Sequence, residues 1–415
     1  MSAGSNVAKW RRALIRFLKV IARPVQSTRT KSGPVIRTNR GYGSKADVFL
    51  IGRVFRQSRP DHPGGKSDIM MQLRDVRRRI TRRAIPGIVV VAEFYGAHER
   101  VITDKEGYFR VHIKPRDTPS ADSIWHMMNL HLEHLPSVRE KGEVFIPPDR
   151  CRYTVISDID DTIMETGVAN KLKMLWRLFV EDADSRVPFP GVAALYRALY
   201  GGASGDQGNP MLYVSRAPWG IYDVIDEFFT QHGIPVGPIL FLREWGLTWT
   251  RPFPRKAEEH KRDLINNMLT LYHDLPVVLI GDSGQHDPEI YRRVVDEHPG
   301  RVLAVYIRNV SRDAARITEI ERLASAVMAQ GSSLVLAADS AAMAVHAAKL
   351  GLISDSAVRT VEKEVTQDST AVPESERGRV AQPVAQDELH EKLSGESGQT
   401  PPSVVVEPGS NGGAL

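Results

Sequence analysis

The chain has 415 residues, 42% of them hydrophobic and 25% charged, with a formal net charge of +5. That length holds two ordinary domains with their own cores and some unpacked sequence besides. A single cysteine, Cys151, excludes a disulfide framework and thiolate zinc sites and suits a reducing compartment. No apolar run reaches the roughly 18 to 20 residues that a membrane-spanning helix needs.

The positive charge sits at the front. No acidic residue precedes Asp47, whereas Lys9, Arg11, Arg12, Arg16, Lys19, Arg23, Arg29, Lys31, Arg37, Arg40 and Lys45 do. At 3.6 residues per turn, Trp10, Leu14, Phe17, Leu18 and Ile21 share one face, and Lys9, Arg12, Arg16, Lys19 and Arg23 fall largely on the other. Residues 1–41 are therefore expected to hold a basic amphipathic helix and a linker. Arginines interrupt the apolar stretch a secretory signal requires, so the expected location is cytoplasmic. The helix suits peripheral attachment to an anionic membrane surface; a transit peptide, or a helix docked on its own domain, are the other readings. A second basic run, Arg74 to Gly87, either binds phosphates of lipid or nucleic acid or is a solvated face.

Residues 42–150 read as short strands: Ala46 to Phe55, Gly87 to Gly96, Glu99 to Ile113, Ser123 to Leu132 and Gly142 to Pro148. Alternation of apolar and polar residues between turn residues is the signal. "TDKEGYF" (Thr103 to Phe109) predicts a hairpin corner in which Gly107 takes positive φ and Tyr108 or Phe109 returns to a core. The motif resembles the TD-x-x-G-x-F pattern of transthyretin-like and carboxypeptidase-regulatory-like domains, which implies a small all-β sandwich.

Residues 151–355 change character. Continuous apolar strands at Tyr153 to Ser157, Met211 to Ser215, Pro238 to Leu242, Pro276 to Gly281 and Arg301 to Ile307 alternate with helical stretches. This predicts a Rossmann-like parallel sheet with helices on both faces. Ligands of such α/β sheets bind beyond the carboxyl ends of the strands. A helix around Ala341 to Leu350 follows "SLVLAADS", and Lys349 to Ile353 closes the domain. From 356 to 415, few aromatics and many Pro, Ser, Gln, Glu and Gly predict a disordered tail.

The strand ends carry the chemistry. Asp158, Asp160, Asp161 and Thr162 crowd behind the first strand, and like charges so close need a cation or solvent. Ser215 ends the second strand with Arg216 beside it, Lys261 lies on a helix, and Asp282 and Asp287 follow the fourth strand. Phosphoryl transfer calls for these types. A carboxylate can attack phosphorus, and a second acid two residues on can protonate the leaving oxygen and then activate water. A hydroxyl and a lysine can hold phosphate oxygens, Arg216 can clamp a second one, and further carboxylates can complete an oxygen site for Mg²⁺. Asp161 reads as a cap or ion-pair partner, and His286 as redundant beside the aspartates.

"DIDDT", the serine of "LYVS", Lys261 and "GDSGQHD" together resemble the four motifs of the haloacid dehalogenase-like superfamily. "SDIDDTI", "SRAPWG", "HKRDLI", "LIGDSGQHDPEIY" and "RVLAVYIRNV" more closely resemble the catalytic domain of the actin-patch-protein type of phosphatidate phosphatase, in the form found in bacterial relatives. The resemblance implies Asp158 as nucleophile, Asp160 as general acid/base, Thr162 as support, and Ser215, Arg216 and Lys261 as phosphate ligands. It further implies Mg²⁺ held by Asp158, Asp160, Asp282 and Asp287, a phospholipid substrate, and conversion of phosphatidate to diacylglycerol; no nucleic-acid partner is expected. Two alternatives stay open: a phosphatase of nucleic-acid or protein phosphates, and a non-catalytic phospholipid-binding scaffold. Oligomeric state is not legible.

Overall fold

The computed structural model describes residues 33–57, 83–159, 190–215, 222–241, 257–311 and 313–370. The amphipathic helix of residues 9–23, most of the second basic run, Asp160, Asp161, Thr162, Arg216 and the tail beyond Thr370 lie outside these residues.

The amino-terminal half is all β. Its strands are β1 (Gly33–Thr38), β2 (Gly41–Gly43), β3 (Val48–Gln57), β4 (Arg83–Ala84), β5 (Val89–Phe94), β6 (Ala97–Ile102), β7 (Tyr108–Ile113), β8 (Trp125–Leu132) and β9 (Leu135–Phe145). They join in one hydrogen-bonded path, β1-β3-β2-β9-β8-β5-β6, with β4 and β7 also paired to β3. Period-two burial carries the fold: β5 buries Val90, Ala92 and Phe94, β7 buries Phe109, Val111 and Ile113, and β8 buries Met128, Leu130 and Leu132, all in one shared core.

Two boundaries differ from expectation. β1 pairs with β3 from Gly33 to Thr38, so the β fold begins before residue 42. The corner at Thr103 to Phe109 also does more than close a hairpin. β6 pairs with β5, whereas β7 pairs with β3, so the corner carries the chain between separate parts of the sheet. Gly107 takes φ 80°, and a Cβ there would collide with the Val54 carbonyl. Its own carbonyl accepts from Val54 N at 2.8 Å, which ties the corner to β3.

The second half alternates strand and helix: β10 (Thr154–Asp158), α1 (Val192–Gly201), β11 (Met211–Ser215), α2 (Tyr222–Gln231), β12 (Ile239–Phe241), α3 (Ala257–Leu271), β13 (Val277–Asp282), α4 (Asp287–Glu297), β14 (Val302–Arg308), α5 (Ala314–Met328), β15 (Ser333–Ala337), α6 (Ser340–Lys349) and α7 (Asp355–Thr370). The six strands are all parallel, in the order β12-β11-β10-β13-β14-β15. Helices α1, α2, α6 and α7 pack on one face, and α3, α4 and α5 on the other. Because the chain runs from β10 outward through β11 and β12 before returning to β13, the topology switches between β10 and β13. Their adjacent carboxyl ends form the crevice where such sheets bind ligands.

The carboxyl boundary also moves. Residues 355–370, placed largely in a disordered tail by composition, form α7. Val358, Val361 and Val365 follow the i, i+3, i+7 spacing of one helical face; Val361 is fully buried, and Val358 and Val365 pack against the same core. Three apolar positions outweighed a polar average.

Candidate active site

The crevice holds three of the four carboxylates expected as metal ligands, Asp160 lying outside the described residues. Asp158 ends β10, Asp282 ends the neighbouring β13, and Asp287 begins α4. One carboxylate oxygen from each lies within 4.8 Å of the other two. Asp287 is wholly buried, and the Asp158 side chain nearly so.

Lys261, on α3, reaches into this group from beneath. Its Nζ lies 2.5 Å from Asp287 Oδ1 and 3.2 Å from Asp158 Oδ1, with no exposure to solvent. Burial alone would lower the Lys261 pKa, but the two carboxylates outweigh it and raise the value, so the side chain is an ammonium. The face of the Tyr291 ring lies 5.4 Å from the same nitrogen. Tyr291 donates its hydroxyl to Ile280 O at 2.9 Å, which fixes α4 against β13.

Local backbone makes the cluster possible. A Cβ at Gly281 would stand 2.7 Å from Asp287 Cβ and 2.8 Å from its Cγ, so only glycine lets α4 bring Asp287 over the strand end. Asp282 Oδ1 accepts from Gly284 N at 2.8 Å and Gln285 N at 3.1 Å, the turn that aims its carboxylate. Ser215 closes β11, one strand across from Asp158, and is fully buried.

Four side chains around the cluster were assigned no role from the sequence. Ser283 Oγ accepts from Val310 N at 2.9 Å and Ser311 N at 3.0 Å, joining the loops after β13 and β14. Arg316 donates to Ser283 O at 3.1 Å and Gln285 O at 2.7 Å and pairs with Glu289. Burial favours the neutral acid at Glu289, but the Arg316 contact outweighs it and lowers the pKa. Tyr196, hydrogen-bonded to Ser157 at 2.6 Å, and Arg308 line a cleft of about 60 Å³ beside Asp158 and Asp282. Ser283 and Glu289 fall within "LIGDSGQHDPEIY" and Arg308 within "RVLAVYIRNV", but those stretches do not reveal what the side chains touch; Tyr196 and Arg316 lie outside the quoted motifs. His286, mostly exposed and 3.4 Å from Glu258, caps α4 away from the cluster.

Three clustered carboxylates, with Lys261 against two of them and Arg308 lining the same cleft, present several oxygen donors at one point. Hard oxygen donors in that arrangement fit a small divalent cation such as Mg²⁺. Asp158, Asp282 and Asp287 would hold it.

Asp158, Lys261, Asp282 and Asp287 all fall inside a stretch that matches a known family. Residues 153–309 match the family model described as "Phosphatidate phosphatase APP1, catalytic domain". The chain is 32% identical over 164 residues to phosphatidate phosphatase APP1 of Saccharomyces cerevisiae, covering 39% of this chain and 27% of that protein. It is 27% identical over 165 residues to the uncharacterized protein C29B5.04c of Schizosaccharomyces pombe, covering 40% and 26%. The chain thus spans about a quarter of the length of the curated relatives it matches. Among solved structures, a carbohydrate acetylesterase from Xanthomonas citri aligns at 10% identity over 71% of this chain and 65% of the other, with a TM-score of 0.24.

Proposed function

Because residues 153–309 are related to the APP1 catalytic domain, we propose that the chain is a Mg²⁺-dependent phosphatase that converts phosphatidate to diacylglycerol and phosphate. The single observation that carries this reading is the buried set of Asp158, Asp282, Asp287 and Lys261 at the switch point of the parallel sheet. In this reading the α/β half is haloacid dehalogenase-like and spans residues 151–355 together with α7, and the β half is a sandwich whose two layers are folded from one continuous sheet.

Asp158 attacks phosphorus; the P–O bond to the glycerol oxygen breaks and an aspartyl phosphate forms. Asp160 gives the departing oxygen its proton, then takes one from the water that hydrolyses the intermediate. Ser215, Arg216 and Lys261 hold the phosphate oxygens, and Thr162 braces the loop behind the nucleophile. Asp158, Asp160, Asp282 and Asp287 would hold Mg²⁺, which would supply positive charge to offset that of the phosphoryl group. The protein works on the cytoplasmic side, and the basic amino-terminal helix draws it to anionic membrane surfaces.

The test is phosphate release from phosphatidate in mixed micelles, with Mg²⁺ and with chelator, for the native chain and Asp158→Asn. Mg²⁺-dependent release that is lost in the variant is expected. Cleavage of an aryl phosphate but not phosphatidate would move the substrate to another phosphate class, and cleavage of neither would leave a phospholipid-binding scaffold.

A further inference from the structure

Among the contacts between the β half and the α/β half, one set is polar and falls on the opening of α2. Arg37, in β1, donates from Nε and Nη2 to Asp223 Oδ1 at 3.2 and 2.9 Å. Arg40, between β1 and β2, donates its backbone N–H to the Tyr222 hydroxyl at 2.9 Å and pairs through its guanidinium with Asp226. Tyr222, Asp223 and Asp226 all belong to the opening of α2.

Arg40 is itself held in the β half. Its Nε lies 3.0 Å from Glu143 of β9, and its guanidinium sits 5.6 Å over the Trp125 ring of β8. On the far side the Tyr222 ring lies 6.4 Å from Phe241 of β12, within the core under the sheet. A second contact reaches α3, where Tyr42 of β2 joins the core formed by Leu264, Ile265 and Met268. The two helices that the β half grips are therefore the one that follows Ser215 in the chain and the one that carries Lys261. Arg37 and Arg40, read from composition as part of a positive front, spend their charge inside the protein.

We infer that the β half positions the phosphate ligands of the α/β half, with Arg37 and Arg40 acting as positioning residues on Ser215 through the amino-terminal end of α2. The inference rests on the reading of Ser215 as a phosphate ligand. Its physical basis is a packed path: the Tyr222 ring lies 6.4 Å from Phe241, and Phe241 is the register partner of Ser215 in the β11–β12 ladder, so a displaced turn disturbs the strand end that carries the serine.

The test compares the native chain, Arg37→Glu and the exchanged pair Arg37→Glu/Asp223→Arg. Arg37 and Asp223 are each about one-third exposed, so the single variant retains its fold, which a melting curve verifies. With an aryl phosphate as substrate, Arg37→Glu should raise KM and the inhibition constant for inorganic phosphate about five- to tenfold, with kcat changed less, and the exchange should restore both. Hydrogen exchange over residues 213–226 should rise in the single variant and return in the exchanged pair. Unchanged exchange over residues 213–215, or a uniform loss that the exchanged pair does not recover, overturns the inference. A native chain that cleaves no phosphate ester but shows the reversible exchange response sustains the coupling and removes the phosphatase reading instead.

Discussion

Replacing Lys261 with methionine is the sharpest perturbation of the site, because it nearly keeps the volume of the side chain, shortens it by one atom and removes the charge together with its hydrogen bonds. At an effective dielectric of 20, an ammonium 3.2 Å from Asp158 and 2.5 Å from Asp287 has gross attractions of about 5 and 7 kcal/mol. Desolvation of three buried ions consumes most of that. The net cost of stripping the partner from a buried carboxylate is about 3–5 kcal/mol. For a domain of this size, that corresponds to a fall in melting temperature of about 6–20 °C. The loss should be measured at neutral pH in chelator, then repeated with millimolar Mg²⁺. Lysine with a raised pKa stabilises fully below its ordinary value of 10.5, and that contribution is lost only as pH rises through the folded value, so neutral pH reports it intact. Added Mg²⁺ should raise the melting temperature of Lys261→Met more than that of the native chain, since a cation bound to the folded state then replaces the missing charge. A variant that melts within about 2 °C of native in chelator, less than 1 kcal/mol on the same scale, would refute the reading of Lys261 as the charge that holds Asp158 and Asp287 together.

Three further outcomes follow from the structure. Gly281→Ala should cost about 1–3 kcal/mol by overpacking against Asp287 and should weaken divalent-cation binding measured by calorimetry. Val361→Ala should lower stability by about 2 kcal/mol in urea unfolding, because two fully buried carbons are lost at the seat of α7; a value near zero would mean that α7 is not part of the fold. His126 sits buried between Tyr95 at 2.8 Å and the Ser123 carbonyl at 3.1 Å, and burial lowers its pKa against the opposing pull of that carbonyl. The unfolded chain therefore takes up the proton first: His126 stabilises above about pH 6.5, and that contribution is lost as pH falls through the lowered folded value. His126→Gln should flatten this limb of the stability-against-pH curve in the mildly acidic range.

The parallel sheet was legible because its strands are buried on both faces and read as unbroken apolar runs. "MLYVS" coincides with β11 to the residue, and β10, β13 and β14 shift by one position. Asp158, Asp282 and Asp287 were legible because they stand at or just after the ends of apolar strands, and Lys261 because it lies on a helix between them in the chain; the fold brings all four together. What Lys261 touches was not legible, since spacing along a helix says nothing of which carboxylates stand above it. The route of "TDKEGYF" was missed for a related reason. A turn sequence fixes the reversal of the chain but not the partner of the departing strand, which depends on Val54 lying opposite Gly107. α7 was missed because composition averages over a face that three valines supply.

The electrostatics of the cluster carry one consequence past any single residue. Among the described residues, Asp158, Asp282 and Asp287 cluster about the Lys261 ammonium with Arg308 lining the same cleft, in a site that is almost dry, and a phosphate monoester would bring up to two further negative charges beside the three carboxylates. On the proposed function, phosphate entering alone would be repelled by those carboxylates. A divalent cation held by them would remove that repulsion and would leave Lys261 with hydrogen-bonding capacity for phosphate oxygens. Binding of inorganic phosphate should then be negligible in chelator and appear with Mg²⁺, and by linkage phosphate should tighten Mg²⁺ by the same factor. Equal phosphate affinity with and without the cation, measured by calorimetry, would show that Lys261 and its neighbours bind phosphate unaided and that the carboxylates are neutralised by other means.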